Sequence, residues 1–211
     1  MIFKNLLISA TIMASFSAAN RPDPANRNFN STIIEKVIQE CKTIISDKNL
    51  SLTFENCLQN TLDTTVEFSV DNETGLPDTF VITGDIPAMW QRDSSNQVLP
   101  YIHFATEDPH LQAMLRGVIN RQKKNVLLDP YPNAFNKNAT GSPWEKDITT
   151  KIVDGKQVDG MTKMIWERKY EIDSVASVLR LATEYYFQTG DSSFVDIDWL
   201  SALRSFKFSL F

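Results

Sequence analysis

The sequence has 211 residues, of which 42% are hydrophobic and 10% aromatic, enough for the core of one ordinary domain and too much for a disordered chain. Its 21 basic and 26 acidic side chains leave a net charge of -5, which argues against a general nucleic-acid binder. Two cysteines exclude a four-cysteine zinc site, and seven glycines without a clustered run exclude a glycine-rich phosphate loop.

Residues 1–19 read as a secretory signal peptide. Lys4 precedes an apolar stretch from Leu6 to Phe16, and Ser17 and Ala19 take the small-residue positions before a cut at Asn20. No later stretch is apolar enough to cross a bilayer, so no membrane contact is expected after cleavage. Asn30, Asn49, Asn72 and Asn138 each begin a glycosylation sequon. Cys41 and Cys57 either pair in an oxidising compartment or stay as two buried thiols. Together these features predict a protein of the secretory pathway, extracellular or Golgi-resident.

Residues 20–30 are polar with two prolines and read as a linker to a domain over 31–211. Ile33, Ile34, Val37, Ile38, Cys41, Ile44 and Ile45 recur at helical spacing, with Thr32 and Glu35 as a capping box. A weaker helix is expected over 51–62. Residues 66–70 and 79–83, separated by a turn at 72–77, predict a β-hairpin. A helix starting near Ser94 behind an Asp93 cap carries Val98, Tyr101, Ile102 and Ala105. Another covers 111–126. Residues 129–165 read as mostly loop with a turn at 153–156. A long helix over 172–188 stops near Gly190, and a last one starts after Asp196 or Asp198. The pattern predicts an all-α protein with one small β-hairpin. Paired helices in a ring and a plain bundle fit it equally.

Three loops carry the chemistry. The first, at 83–94, places Asp85, Arg92 and Asp93 beside Trp90. Carboxylates accept hydrogen bonds from vicinal sugar hydroxyls, a guanidinium donates to them, and an indole covers the C–H face of a pyranose. Asp93 as a helix cap, with Arg92 its surface neighbour, explains the same letters. The second joins Arg121 and Gln122 to residues 129–136, a source of amides and a tyrosine that also reads as a proline-rich turn. The third, at 166–174, crowds charges onto the start of the long helix, where ionised carboxylates are favoured. There Lys169 or Arg168 is expected to pair with Glu171 or Asp173, although a solvated ion-paired helix start fits as well. His103 and His110 have neither metal nor catalytic spacing, and no metal site is expected.

Gly84-Asp85-Ile86-Pro87-Ala88-Met89-Trp90-Gln91-Arg92-Asp93-Ser94, Asp129-Pro130-Tyr131-Pro132-Asn133-Ala134-Phe135-Asn136 and Trp166-Glu167-Arg168-Lys169-Tyr170-Glu171-Ile172-Asp173-Ser174 resemble glycoside hydrolase family 125 in content, order and spacing. The resemblance covers residues 31–200. It implies an (α/α)6 barrel and an exo-acting α-1,6-mannosidase that inverts the anomeric configuration without metal or other cofactor. Its partner would be an α-mannoside oligosaccharide or a mannosylated glycoprotein. Gln91 stands where the family usually has leucine, and Pro132 where it usually has alanine. The family's general acid lies in an Arg-Pro-Ser-Asp-Asp segment and its base in a His-Glu-Ser segment, and neither occurs here. The chain therefore resembles the N-terminal half of such an enzyme, a partial (α/α)6 barrel. On that basis Trp90, Arg92 and Asp93 are expected to hold the terminal mannose, joined by Lys169, Glu171 and Asp173. Should the acid and base not lie in those segments, Asp93, Glu171 and Asp173 are the catalytic candidates. A non-catalytic mannose-binding fragment or pseudo-enzyme, and a helical protein that has lost this chemistry, are the competing readings.

Overall fold

A computed structural model describes residues 21–143 and 149–206; the expected signal segment at 1–19 lies outside the described residues. The described residues are mostly helical with three small antiparallel sheets, so the all-α expectation holds for the framework and misses two of those sheets.

Helix α1 (Thr32–Ile44) and helix α2 (Lys48–Thr64) form an α-hairpin. Ser31, not Thr32, caps α1, and Glu35 does not reach back to complete a box. Its carboxylate accepts instead from Arg21 at 2.7 Å and Arg27 at 3.2 Å, because a guanidinium outbids a neutral backbone N–H. Residues 21–29 are consequently no loose linker. Arg21 also bonds Asp63 at 2.7 Å, and Phe29 is buried with its N–H on the Leu62 carbonyl. Cys41 and Cys57 stand as free thiols in this structure, Cys41 partly buried and Cys57 exposed. Lys42 of α1 pairs with Glu55 of α2 at 2.6 Å, and Cys57, two residues past Glu55, lies about 200° around α2 from it.

Strands β1 (Val66–Val70) and β2 (Pro77–Val81) make the expected hairpin, in a register of Val66 with Val81 and Val70 with Pro77. The second strand starts two residues earlier than its β-branched run suggested. It is buried along its whole length under helix α4 (Pro109–Leu128). Gly117 permits this approach: a Cβ there would stand 2.3 Å from Thr79 Oγ1.

Strand β3 (Met89–Trp90) leads into helix α3 (Gln91–Val98), which tightens to a 3-10 stretch over Leu99–Phe104 where Pro100 supplies no donor. Asp108 then starts α4. Its Oδ1 accepts from the His110 and Leu111 N–H groups, and its Oδ2 from the Ser31 hydroxyl at 2.7 Å and the Thr32 N–H. One buried carboxylate thus serves the starts of α1 and α4. His110 stacks on Phe29 at 4.4 Å, while His103 is exposed, both ordinary roles.

The stretch read as mostly loop holds β4 (Ala134–Phe135), the hairpin β5 (Thr150–Val153) and β6 (Lys156–Asp159), and β7 (Ile165–Glu167). Asp154 and Gly155 turn the hairpin with φ of 50° and 73°, the conformation a two-residue turn needs. Helix α5 (Ile172–Thr189) ends at Gly190 with φ of 69°, and helix α6 (Ile197–Ser205) is capped by Asp196. The main core runs from Ile34 and Ile38 through Leu111, Leu115 and Val118 to Tyr185 and Trp199.

Candidate functional site

The three loops meet. Strands β3, β4 and β7 form one antiparallel sheet in which Trp90 faces Ala134 and Ala134 faces Glu167. Each strand comes from a different loop, so this small sheet fixes their relative positions.

Asn133, 1% exposed, is the fastener. Its carbonyl accepts from the Gln91 N–H at 3.0 Å. Its Nδ2 donates to Glu167 Oε2 at 2.7 Å, and its Oδ1 accepts from the Lys169 N–H at 3.2 Å. Lys169 Nζ donates to the other Glu167 oxygen at 2.7 Å. Burial alone would raise the Glu167 carboxyl, but Lys169, Asn133 and the Trp90 side chain together hold it below the ordinary range. Glu167 and Asn133 lay inside the quoted motifs but were not named as site residues. A charged residue two positions past Ile165, on the same side of a short strand, was the available signal.

A second link crosses the site. Arg92 donates from its NH1 to Asp173 Oδ2 at 2.7 Å, with both side chains about half exposed. This pair joins the first loop to the start of α5. The guanidinium pulls the Asp173 carboxyl below its usual value, and Asp173, Asp93 and Glu171 raise Arg92 in return. Asp93 lies 3.7 Å from Arg92, with its Oδ2 turned inward and lacking a hydrogen-bond donor. It is not a cap: α3 begins at Gln91, with Trp90 at the cap position and no side-chain bond there. Glu171 occupies the cap position of α5 and accepts from the Ser174 hydroxyl at 2.9 Å. Asp85 is exposed in the first loop.

Several expected roles change. Lys169 pairs with Glu167, and Arg168 with buried Asp129 at 3.0 Å, so Arg92 rather than either neighbour balances Asp173. The chain leaves β7 extended, which puts residues 167 and 169 on one side and 168 on the other. Arg121 grips Asp78 with two 2.7 Å bonds, and Gln122 is buried with its amide on the Gln91 carbonyl and the Ser94 and Ser95 hydroxyls. Both are structural. Among the described residues no group of His, Cys, Asp and Glu is placed to hold a metal ion.

The open face therefore presents two ionised carboxylates, a guanidinium, an ammonium and an indole, a set suited to a polyhydroxylated ligand. The chain belongs to glycoside hydrolase family 125, the metal-independent alpha-mannosidases, whose family model matches residues 47–207. It is 38% identical over 189 residues to the meiotically up-regulated gene 157 protein of Schizosaccharomyces pombe, covering 87% of this chain and 36% of that protein. It also resembles a solved metal-independent alpha mannosidase of Streptococcus pneumoniae, in a non-productive complex with alpha-1,6-mannobiose. That match has a TM-score of 0.71 and 36% identity over 84% of this chain and 38% of that one. The chain thus spans little more than a third of the length of either relative.

Proposed function

We propose that these three loops form the terminal-mannose subsite of an exo-acting, inverting α-mannosidase, selective for α-1,6-linked mannose, and that the helices are part of an (α/α)6 ring. The observation that carries the reading is the junction itself: the β3–β4–β7 sheet and the Arg92–Asp173 pair draw Trp90, Arg92, Asp93, Lys169, Glu171 and Asp173 to one face. In this role Trp90 covers the sugar's apolar face. Asp173 and Asp93 accept from its hydroxyls, and Arg92 and Lys169 donate to them.

Inversion needs one protonated carboxyl at the leaving oxygen and one ionised carboxylate at the attacking water, roughly 6.5–9.5 Å apart. Glu167 and Asp173 are both held ionised, so neither supplies the proton. Recognition rather than proton donation suits the constellation, with acid and base contributed by other parts of the enzyme. That same observation favours a second reading, in which this chain binds mannosides without turning them over. The four sequon asparagines, Asn30, Asn49, Asn72 and Asn138, are exposed, which supports a place in the secretory pathway.

Calorimetry with α-1,6-mannobiose, together with an assay for released mannose, tests both. Binding that weakens about tenfold in Asp173→Asn supports the subsite. Turnover by this chain favours the enzyme reading, and binding without turnover the second. If mannobiose does not bind, both fall.

A further inference from the structure

A cavity of about 510 Å³ lies between the second loop and the β5–β6 hairpin, within the size range of small-molecule sites. Tyr131, Lys151, Ile152, Val153, Asp129 and Arg168 are among its walls. None of the expected mannose-holding residues lines it.

Its floor is an ion cluster. Asp129 is 4% exposed and its carboxylate is fully engaged. Oδ1 accepts from the Tyr131 N–H at 3.0 Å, and Oδ2 from Arg168 at 3.0 Å. Lys151 Nζ stands 3.7 Å from Oδ2, beyond hydrogen-bond distance, so its N–H groups are directed by charge but not used up there. Arg168 is spent on Asp129 and lies under the Tyr131 ring at 5.4 Å. Gly160 closes the hairpin base against it, since a Cβ at that position would come within 3.1 Å of the Arg168 side chain. The outer wall is Ile152, 68% exposed, and Val153.

Tyr131 joins this cavity to the mannose-recognising face. Its half-exposed ring sits 5.8 Å from that of Tyr170, tilted by 54°. Tyr170 follows Lys169, which holds Glu167, and precedes Asp173 by three residues, roughly 11 Å at full stretch. Two exposed tyrosines therefore bridge the face and the cavity.

We infer that this cavity is a distal subsite for the sugar rings that follow the terminal mannose, with Tyr131 as its aromatic platform and Lys151 as a hydroxyl donor. The inference rests on the mannose reading above and extends it: the chain reads glycan length as well as the terminal residue. Aromatic faces, one partly exposed ammonium and aliphatic edges match neutral hexoses, which combine C–H faces with hydroxyls. With Arg168 already neutralised, the described residues leave the site one cation for a ligand, Lys151, too few to clamp a phosphate in the usual bidentate way.

Calorimetry on the full chain with α-1,6-mannobiose and α-1,6-linked mannotetraose tests it. The tetraose should bind about tenfold more tightly, as one or two net hydrogen bonds would give. Lys151→Ala and Tyr131→Ala, at solvent-accessible positions, should each bring the tetraose-to-biose ratio close to one. Equal binding of the two sugars, or an unchanged ratio in both variants, overturns the distal subsite alone. Failure of both sugars to bind overturns it together with the mannose reading.

Discussion

Replacing Asn133 by alanine should loosen the site more than any exposed substitution. Two side-chain bonds vanish. One is the 2.7 Å bond to ionised Glu167, a class worth about 1.5–3 kcal/mol. The other satisfies the Lys169 N–H at 3.2 Å, a weaker bond of about 0.5–1.5 kcal/mol. The backbone bond from Gln91 survives, so the expected loss is about 2–4 kcal/mol. Urea unfolding monitored by tryptophan fluorescence measures it. The Glu167 carboxyl, deprived of a donor, should also titrate higher, which carbon-13 NMR follows. Asn133→Asp supplies the sharper contrast. It sets a second carboxyl beside Glu167, so at pH 7 it should be less stable than the alanine variant, and it should recover as the pH falls and one of the two binds a proton. A loss under about 0.5 kcal/mol for alanine, or an aspartate variant with no recovery in acid, would refute the fastening role.

Asp108→Ala removes a cap from α4 and a tie from α1 at once, and should cost about 2–4 kcal/mol, against about 1 kcal/mol for Ser31→Ala, by the same unfolding measurement. Gly117→Ala forces a methyl to within 2.3 Å of Thr79 Oγ1 and should cost about 1–3 kcal/mol. Asp191 has its carboxyl lowered to about 2: burial opposes ionisation, but bonds from Tyr185 and Ser193 and the charge of Arg116 outweigh it. Because the folded value lies below the unfolded one, its contribution is complete above the ordinary carboxylate range and lost as pH falls toward 2. Asp191→Asn should therefore flatten the acid limb of a stability-versus-pH curve. Mannoside affinity should likewise be insensitive to pH near neutrality, since Arg92 holds the Asp173 carboxyl below its usual value; a decline already near neutrality would contradict that pairing.

Helices were legible because their apolar residues recur along a buried face, as Ile34 and Ile38 or Val175, Val178 and Ala182 do. Their starts were less so. Ser31 displaced Thr32, since adjacent polar residues compete for one position and tertiary partners choose among them, and Asp93 lost its capping role to a helix that begins three residues sooner. The two-residue strands at Trp90 and Ala134 were invisible: a period of two cannot register over two residues, and such strands exist only through distant partners. The three motifs come together on one face of the structure. They could not distribute charges within it, because the partner of Asp173 lies 81 residues away while two cations stand closer in sequence. Arg121, grouped with the second loop in the sequence, is committed to Asp78 in the β1–β2 hairpin.

The Arg21 guanidinium sets where a recombinant version of this domain can safely begin. A chain started at residue 31, the boundary its polar, proline-bearing prelude invites, would delete the cation shared by Glu35, Glu55 and Asp63. The Asp63 side chain is 1% exposed, and Arg27, at 3.8 Å, would be cut away as well. Such a product would carry a stranded internal anion, at a cost of about 3–5 kcal/mol, and would be expected to express poorly for reasons unrelated to the candidate site.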